Sequence, residues 1–108
     1  MALYSFRETT RFTRRVLEYL SDEAYAQLQW YLIRRPDAGD VIRGGGGIRK
    51  VRWVVGGKGK RGGARVIYYW AATSYEFFML DLYAKGEKTD LTPSVLKDLR
   101  ELVEEWLA

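Results

Sequence analysis

The sequence predicts an α+β domain in which helices pack on one face of a small, mainly antiparallel sheet. Apolar residues at helical spacing occupy the first third of the chain and its end, whereas β-branched and aromatic residues concentrate in the middle. Cap and turn residues separate these segments. The predicted order is strand, two helices, three strands and one helix, in one domain that spans residues 1–108.

The first third predicts a short strand followed by a helical hairpin. Residues 3–7 alternate in polarity, and Thr9 or Thr10 then offers an N-cap for a helix. Ser21 is a second N-cap, followed by two acidic residues that suit the positive end of a helix dipole. Pro36 ends the second helix. The apolar stripe of the hairpin comprises Phe12, Val16, Leu17, Leu20, Ala24, Tyr25, Leu28, Tyr31 and Leu32.

The middle of the chain predicts three strands, at residues 51–55, 66–72 and 77–83. Thr73 and Ser74 form a tight connection, so the last two strands should pair as an antiparallel hairpin. A final helix should begin where Thr92 caps it and a proline occupies its first position. Its buried stripe comprises Val95, Leu96, Leu99, Leu102, Val103 and Trp106.

Charge is distributed unevenly along the chain. No Asp or Glu occurs between Val41 and Tyr75, although that segment carries eight basic residues. The rest of the chain carries ten basic and fourteen acidic residues and is therefore mildly acidic. Such local excess points to a polyanionic partner, because like charges repel unless a partner neutralises them. The alternative is a solvated surface that serves only solubility.

The stretch GGGGIRKVRWVVGGKGKRGGARVIYYW, residues 44–70, admits three interpretations: a flexible linker, a phosphate-binding loop or two strands that hold nucleic acid. A linker fits poorly, since residues 48–55 separate two glycine clusters and have strand composition. Residues 57–62 match G-x-G-x-x-G, but a strand follows where a dinucleotide site requires a helix. We therefore favour the third interpretation.

Strand alternation places Lys50 and Arg52 on the face opposite Val51 and Trp53. Lys and Arg neutralise phosphates, and Tyr and Arg can stack on unpaired bases, which suits RNA. Glycines would let the hairpin loop approach phosphate closely or would simply form a long turn. The predicted RNA-binding residues are Arg49, Arg52, Lys58, Lys60 and Arg61.

The run GGIRKVRWVVGGKGKRGGARVIYYW, with PDAGDVI before it and LYAKGEKTDLT after it, resembles the HigB-type branch of the RelE/ParE toxin superfamily. The resemblance covers about residues 3–105 and implies the fold described above. It implies a cytoplasmic toxin of a type II toxin–antitoxin pair that cleaves mRNA on the translating 70S ribosome and contacts ribosomal RNA. The implied partner is a helix-turn-helix antitoxin of the HigA type. The superfamily also contains DNA gyrase poisons.

The composition restricts the chemistry that such a nuclease could use. The chain has no His and no Cys, so the commonest acid–base residue and both His-dependent hydrolytic triads are absent. The acid-free segment disfavours a metal site, for which Asp81 is the nearest ligand, and we expect no metal or cofactor. A Lys among other cations loses its proton more readily. The candidate catalytic residues are Lys50 as base, Arg65 on the phosphorane, and Tyr83 or Lys85 as acid.

The resemblance supports Lys50 and Arg65, since nucleases of the family carry basic residues at the matching positions. It gives less support to the acid, because several members have Arg, His or Tyr where this chain has Ala84, Gly86 and Thr92.

Competing interpretations remain for individual residues and for the whole chain. Arg65 could pair with Asp81, and Tyr68, Tyr69 and Trp70 fit a packing role better than a stacking role. The chain could also be a nucleic-acid-binding module without activity, or a gyrase poison. The charged N-terminus and the absence of any long apolar run predict neither a signal peptide nor a membrane span. We therefore expect a cytoplasmic protein without a membrane partner.

Overall fold

The computed structural model of the chain describes residues 3–53, 63–84 and 91–108. The described part contains five strands, three α-helices and one 3₁₀ turn. In chain order they are β1 (Ser5–Glu8), α1 (Thr10–Tyr19), α2 (Asp22–Arg34), β2 (Asp40–Val41), β3 (Arg49–Trp53), β4 (Ala64–Ala71), the 3₁₀ turn (Ala72–Ser74), β5 (Glu76–Ala84) and α3 (Pro93–Leu107). No helix in this part of the chain is long and apolar enough to cross a membrane.

The strands form one sheet in the order β1-β5-β4-β3-β2. The β1 strand runs parallel to β5, and every other pair is antiparallel. The predicted α+β class and element order are therefore confirmed, with one addition. The two-residue strand β2 pairs with β3 at the sheet edge, and its two residues are too short a run to show alternation.

Each predicted helix start has a side-chain cap. The backbone N–H of Phe12 donates to Thr9 Oγ1 at 2.9 Å, and that of Ala24 donates to Ser21 Oγ at 3.0 Å. Thr92 Oγ1 accepts from the N–H of Val95 at 3.2 Å. These bonds satisfy amide groups that the first turn of a helix leaves unpaired, so the caps fix where all three helices begin.

The helices α1 and α2 pack on one face of the sheet. In α1, Leu17 departs from the predicted stripe, since 74% of it is exposed. The core on this face, the hairpin core, comprises Phe12, Val16, Leu20, Ala24, Leu28, Leu32, Val51, Ala64, Val66, Tyr68, Phe77, Met79 and Leu82.

The helix α3 packs on the opposite face, so the prediction that all helices share one face was wrong. The reason lies in β4 and β5, whose apolar residues do not alternate with polar ones and therefore need cover on both sides. Trp106 closes this side, with its ring 5.1 Å from that of Phe78. The core beneath α3, the α3 core, comprises Ile48, Ile67, Ala71, Phe78, Leu80, Tyr83, Leu99 and Val103.

The hydroxyl of Tyr68 ties the segment before β2 to the centre of the sheet. It donates to the carbonyl oxygen of Pro36 at 2.7 Å and accepts from the N–H of Gly39 at 3.0 Å. Gly39 is required by close approach, because a Cβ there would lie 2.8 Å from the backbone oxygen of Lys50. Burial raises the pKa of Tyr68, which keeps the hydroxyl able to donate. This contact positions β2 against β3.

We expect Tyr68→Phe to lower the free energy of unfolding by about 1–3 kcal/mol, because it leaves the buried N–H of Gly39 without its acceptor. Urea denaturation followed by circular dichroism measures the change. Tyr75→Phe is the matched control, since Tyr75 is 46% exposed in the turn between β4 and β5. Equal stability of Tyr68→Phe and wild type would show that this hydroxyl does not hold the segment.

Candidate nucleic-acid interface

Three predicted site residues lie side by side across the sheet. In the strand register, Arg52 of β3 is opposite Arg65 of β4, and Arg65 is opposite Tyr83 of β5. Directly opposed residues on neighbouring strands have Cβ atoms about 4.5–5.5 Å apart. The sheet therefore places two guanidinium groups and a phenol in one lateral row.

This row and Lys50 lie on the side of the sheet that α3 covers further along. Val51 and Val66 point into the hairpin core, so the residues that alternate with them point the other way. Tyr83 belongs to the α3 core, which fixes the side directly. Lys50 and Arg52 are exposed and Arg65 is partly buried. We call Lys50, Arg52, Arg65 and Tyr83 the basic face.

The basic face carries three cations, and the strand register places Asp40 of β2 opposite one of them, Lys50. Arg52 and Arg65 stand directly opposite each other, and like charges in that position destabilise a sheet. Two forked guanidinium groups side by side match the oxygens of phosphate groups, which can accept two hydrogen bonds from each fork. Tyr83 is only 6% exposed, so it supplies packing and at most a small contact area to a ligand.

Arg49 was predicted to bind RNA, but the structure places it on the other side of β3. Its Nη1 donates to the carbonyl oxygen of Gly39 at 2.7 Å and to that of Asp37 at 3.3 Å. The guanidinium group therefore holds the turn before β2. This side chain does not share the basic face.

Four other predicted residues lie outside the part of the chain that the structure describes. Lys58, Lys60 and Arg61 belong to residues 54–62, and Lys85 follows Ala84 directly in the sequence. In the strand register, Trp53 lies opposite Ala64, and Ala64 lies opposite Ala84. Residues 54–62 and Lys85 therefore adjoin strand residues at the same end of the sheet.

Asp81 is buried and forms ion pairs with α1. It is 1% exposed, and its ion-pair partners among the described residues are Arg11 at 3.3 Å and Arg15 at 3.5 Å, both on α1. The predicted alternative that Asp81 neutralises Arg65 is therefore not what the structure shows. Within residues 3–53, 63–84 and 91–108, no group of three or more His, Cys, Asp or Glu side chains is placed to hold a metal ion.

The aromatic residues of β4 pack within the protein. Tyr68 is fully buried, the Tyr69 ring stacks on Phe78 at 5.8 Å, and the Trp70 ring lies 4.4 Å from that of Phe77. Each ring therefore belongs to one of the two cores or to its rim. The basic face has cations and little exposed aromatic surface among the described residues.

The direct opposition of Arg52 and Arg65 was not predictable from the sequence. Alternation fixes the side of each strand, but the register depends on the connection between β3 and β4, whose length alone does not set it. In the neighbouring pair of β4 and β5, a register shift between Ile67 and Tyr68 changes which residues lie opposite each other further along the strands.

Comparison with known proteins agrees on the fold. No protein-family model matches the sequence. A mutant of the E. coli toxin RelE, solved in the free state, superposes with a TM-score of 0.58 at 18% identity, covering 95% of this chain and 99% of that one. The fold is that of RelE.

A chain of the intact E. coli RelBE toxin–antitoxin complex gives a TM-score of 0.54 at 18% identity, covering 80% of this chain and all of the other. The RelE fold thus extends over nearly the whole of this chain. Identity at this level bears on the fold alone, so the activity has to be argued from the residues of the basic face.

Burial of the Asp81 carboxyl raises its pKa above the ordinary value of 3.8, and the Leu82 N–H and the two arginines offset only part of this. The folded protein binds this proton more tightly than the unfolded chain does. The protonated carboxyl of Asp81 therefore contributes stability to the fold, fully so below the ordinary pKa. This contribution is lost as the pH rises through the raised pKa.

We therefore expect wild type to lose stability relative to Asp81→Asn as the pH rises from about 3 to about 7. Urea denaturation at a series of pH values measures this difference. The matched control compares the free energy of unfolding of wild type with that of Asp98→Asn, at an exposed position of α3, over the same pH series. A gain of wild type over Asp81→Asn with rising pH would show that attraction to Arg11 and Arg15 outweighs burial.

Proposed function

We propose that this chain is the toxin of a toxin–antitoxin pair, and that it is a metal-independent endoribonuclease acting on mRNA in the translating ribosome. The observation that carries the proposal is the basic face: Arg52, Arg65 and Tyr83 in one lateral row with Lys50 beside them, on a RelE fold. The resemblance of the sequence to HigB-type toxins supports the same activity.

The reaction needs only the RNA itself and positioned side chains. The 2′-oxygen attacks the adjacent phosphorus, a new P–O bond forms, and the bond to the 5′-oxygen breaks, leaving a 2′,3′-cyclic phosphate and a 5′-hydroxyl. Lys50 takes the 2′-hydroxyl proton, and Lys85 or Tyr83 gives a proton to the leaving oxygen. Arg65, with Arg52 opposite it, stabilises the charge on the phosphorane.

The ribosome compensates for the modest acid–base set of this chain, which has no histidine. Holding the mRNA so that the 2′-oxygen is in line with the scissile bond can supply several kcal/mol of the barrier, about 7–11 kcal/mol in the best cases. Basic residues outside the reacting centre bind ribosomal RNA phosphates, which adds affinity without base selectivity. The proposed site of action is therefore the cytoplasm.

A toxin of this kind requires an antitoxin. One of the structural neighbours was solved as a RelBE toxin–antitoxin complex, which supports a cognate antitoxin for this chain. The HigB-like sequence motifs favour an antitoxin with a helix-turn-helix domain of the HigA type.

We expect Arg65→Ala to reduce cleavage of a defined mRNA in a reconstituted translation reaction by about 10²–10³-fold, because one charge-stabilising donor is removed. Primer extension with and without ribosomes measures the cuts. Arg65→Lys should rescue only part of the activity, since an ammonium group cannot bind two phosphate oxygens as the guanidinium fork does. Binding to uncut RNA should change by only a few-fold.

Arg14→Ala is the matched control, because Arg14 is an exposed arginine on α1 and should leave cleavage unchanged. If wild-type protein produces no cuts in the mRNA and leaves translation unimpaired, the nuclease proposal is wrong. A parallel DNA supercoiling assay then distinguishes a gyrase poison from a module that only binds RNA. The latter would show weaker binding in Arg65→Ala and no cuts in any variant.

A further inference from the structure

A groove of about 400 Å³ lies between the loop after β2 and the N-terminal half of α3. Three cationic side chains line it, Arg43 from the loop and Lys97 and Arg100 from the helix, and among the residues that the structure describes no acidic side chain does. Lys97 and Arg100 are three residues apart and so lie on one side of α3. The mechanism proposed above uses none of these residues.

Arg100 joins the two walls of the groove. Its Nη1 donates to the carbonyl oxygen of Gly44 at 3.3 Å, while its Nε lies 3.7 Å from a carboxylate oxygen of Glu104. Arg100 is thereby partly neutralised, and Arg43 and Lys97, both exposed, carry the remaining charge. Apolar residues, including Ile42, Leu91 and Leu96, complete the lining.

The groove and the basic face lie on the same side of the sheet. Ile42 donates to the carbonyl oxygen of Ile48 at 2.8 Å, and Ile48 belongs to the α3 core. Lys50 is two residues further along the same side of the chain, roughly 6.6 Å at about 3.3 Å per residue of strand. The groove therefore adjoins the end of the basic face at which Lys50 lies, with Asp40 of β2 opposite Lys50.

We propose that this groove is a second binding site for the RNA substrate, in which Arg43 and Lys97 contact phosphates of nucleotides beyond the cleavage site. The inference rests on the proposed function and extends its substrate site. Single-stranded RNA suits the lining, since cations follow its backbone while an apolar wall can take a ribose or base. The site would raise affinity for longer substrates without selecting the base at the cut.

An acidic peptide is the competing occupant, because carboxylates would also pair with Arg43 and Lys97. RNA is favoured because Lys50, Arg52 and Arg65 lie on the same side of the sheet as the cations of the groove, and Asp40, which stands opposite Lys50, is the acidic residue that the strand register places beside them. An acidic peptide bound in the groove would not need the cations of the basic face.

The test compares wild type with Arg43→Ala/Lys97→Ala for binding to 2′-O-methyl oligoribonucleotides, which cannot be cut, of about 4 and about 12 nucleotides. Fluorescence anisotropy over a salt series gives the affinities. The double variant should bind the longer RNA about tenfold more weakly, and its slope of log K against log salt should fall by about 1.4, the value for two lost phosphates. Binding of the shorter RNA should be unchanged.

Arg14→Ala/Arg34→Ala removes the same charge from exposed positions on α1 and α2 and is the matched control. Thermal unfolding confirms that each variant is folded. Equal affinity and salt slope of Arg43→Ala/Lys97→Ala and wild type for the longer RNA would overturn the proposal. So would loss of binding to a poly-glutamate peptide with RNA binding intact, which would assign the groove to an acidic protein.

Cleavage of mRNA on ribosomes is scored separately for the same proteins. If wild type binds the longer RNA through the groove but never cuts, the nuclease function fails and the groove remains an RNA site. If wild type cuts and the double variant binds and cuts as well as wild type, the groove proposal fails alone.

Discussion

The antiparallel pair of β4 and β5 is apolar on both faces, and the rest of the structure depends on this constraint. Val66 and Tyr68 enter the hairpin core, and Ile67 and Ala71 enter the α3 core. Burying such strands requires helices on both sides, because each exposed apolar face would cost roughly 25 cal/mol per Å². The sheet is therefore the shared wall of two cores. Side chains of the sheet can contact a ligand where it extends beyond the helices that pack on it.

The basic face occupies such a place. Lys50 and Arg52 alternate with residues of the hairpin core, and Arg65 stands between Ala64 and Val66 of the same core. On this side of the sheet, the part beneath α3 carries apolar residues such as Ile67 and Phe78. The part that carries the basic face has charged residues instead. The opposition of Arg52 to Arg65 places two like charges side by side, and the phosphate ligand proposed above would reduce their mutual repulsion.

Much of this arrangement could be predicted from local patterns, and what could not depends on tertiary pairing. The three helix starts followed from Thr9 or Thr10, of which Thr9 is the cap, and from Ser21 and Thr92, since capping is a local interaction. The unbroken apolar runs of β4 and β5 already contained the signal for cover on both faces, which the one-sided prediction overlooked. The opposition of Arg52 to Arg65 arises only from strand register, and no single-strand pattern encodes it.

The fold also keeps the carboxylate of Asp81 away from the basic face. Asp81 lies on β5 only two residues before Tyr83, close enough in sequence to neutralise a cation of the row. Instead, α1 packs against this part of β5: Thr9 Oγ1 donates to the carbonyl oxygen of Leu80 at 2.8 Å, and Arg15 Nε to that of Leu82 at 2.7 Å. Arg11 and Arg15 then pair with the carboxylate. Because α1 holds the negative charge of Asp81 on the hairpin side of the sheet, this carboxylate does not join Arg52 and Arg65 on the basic face.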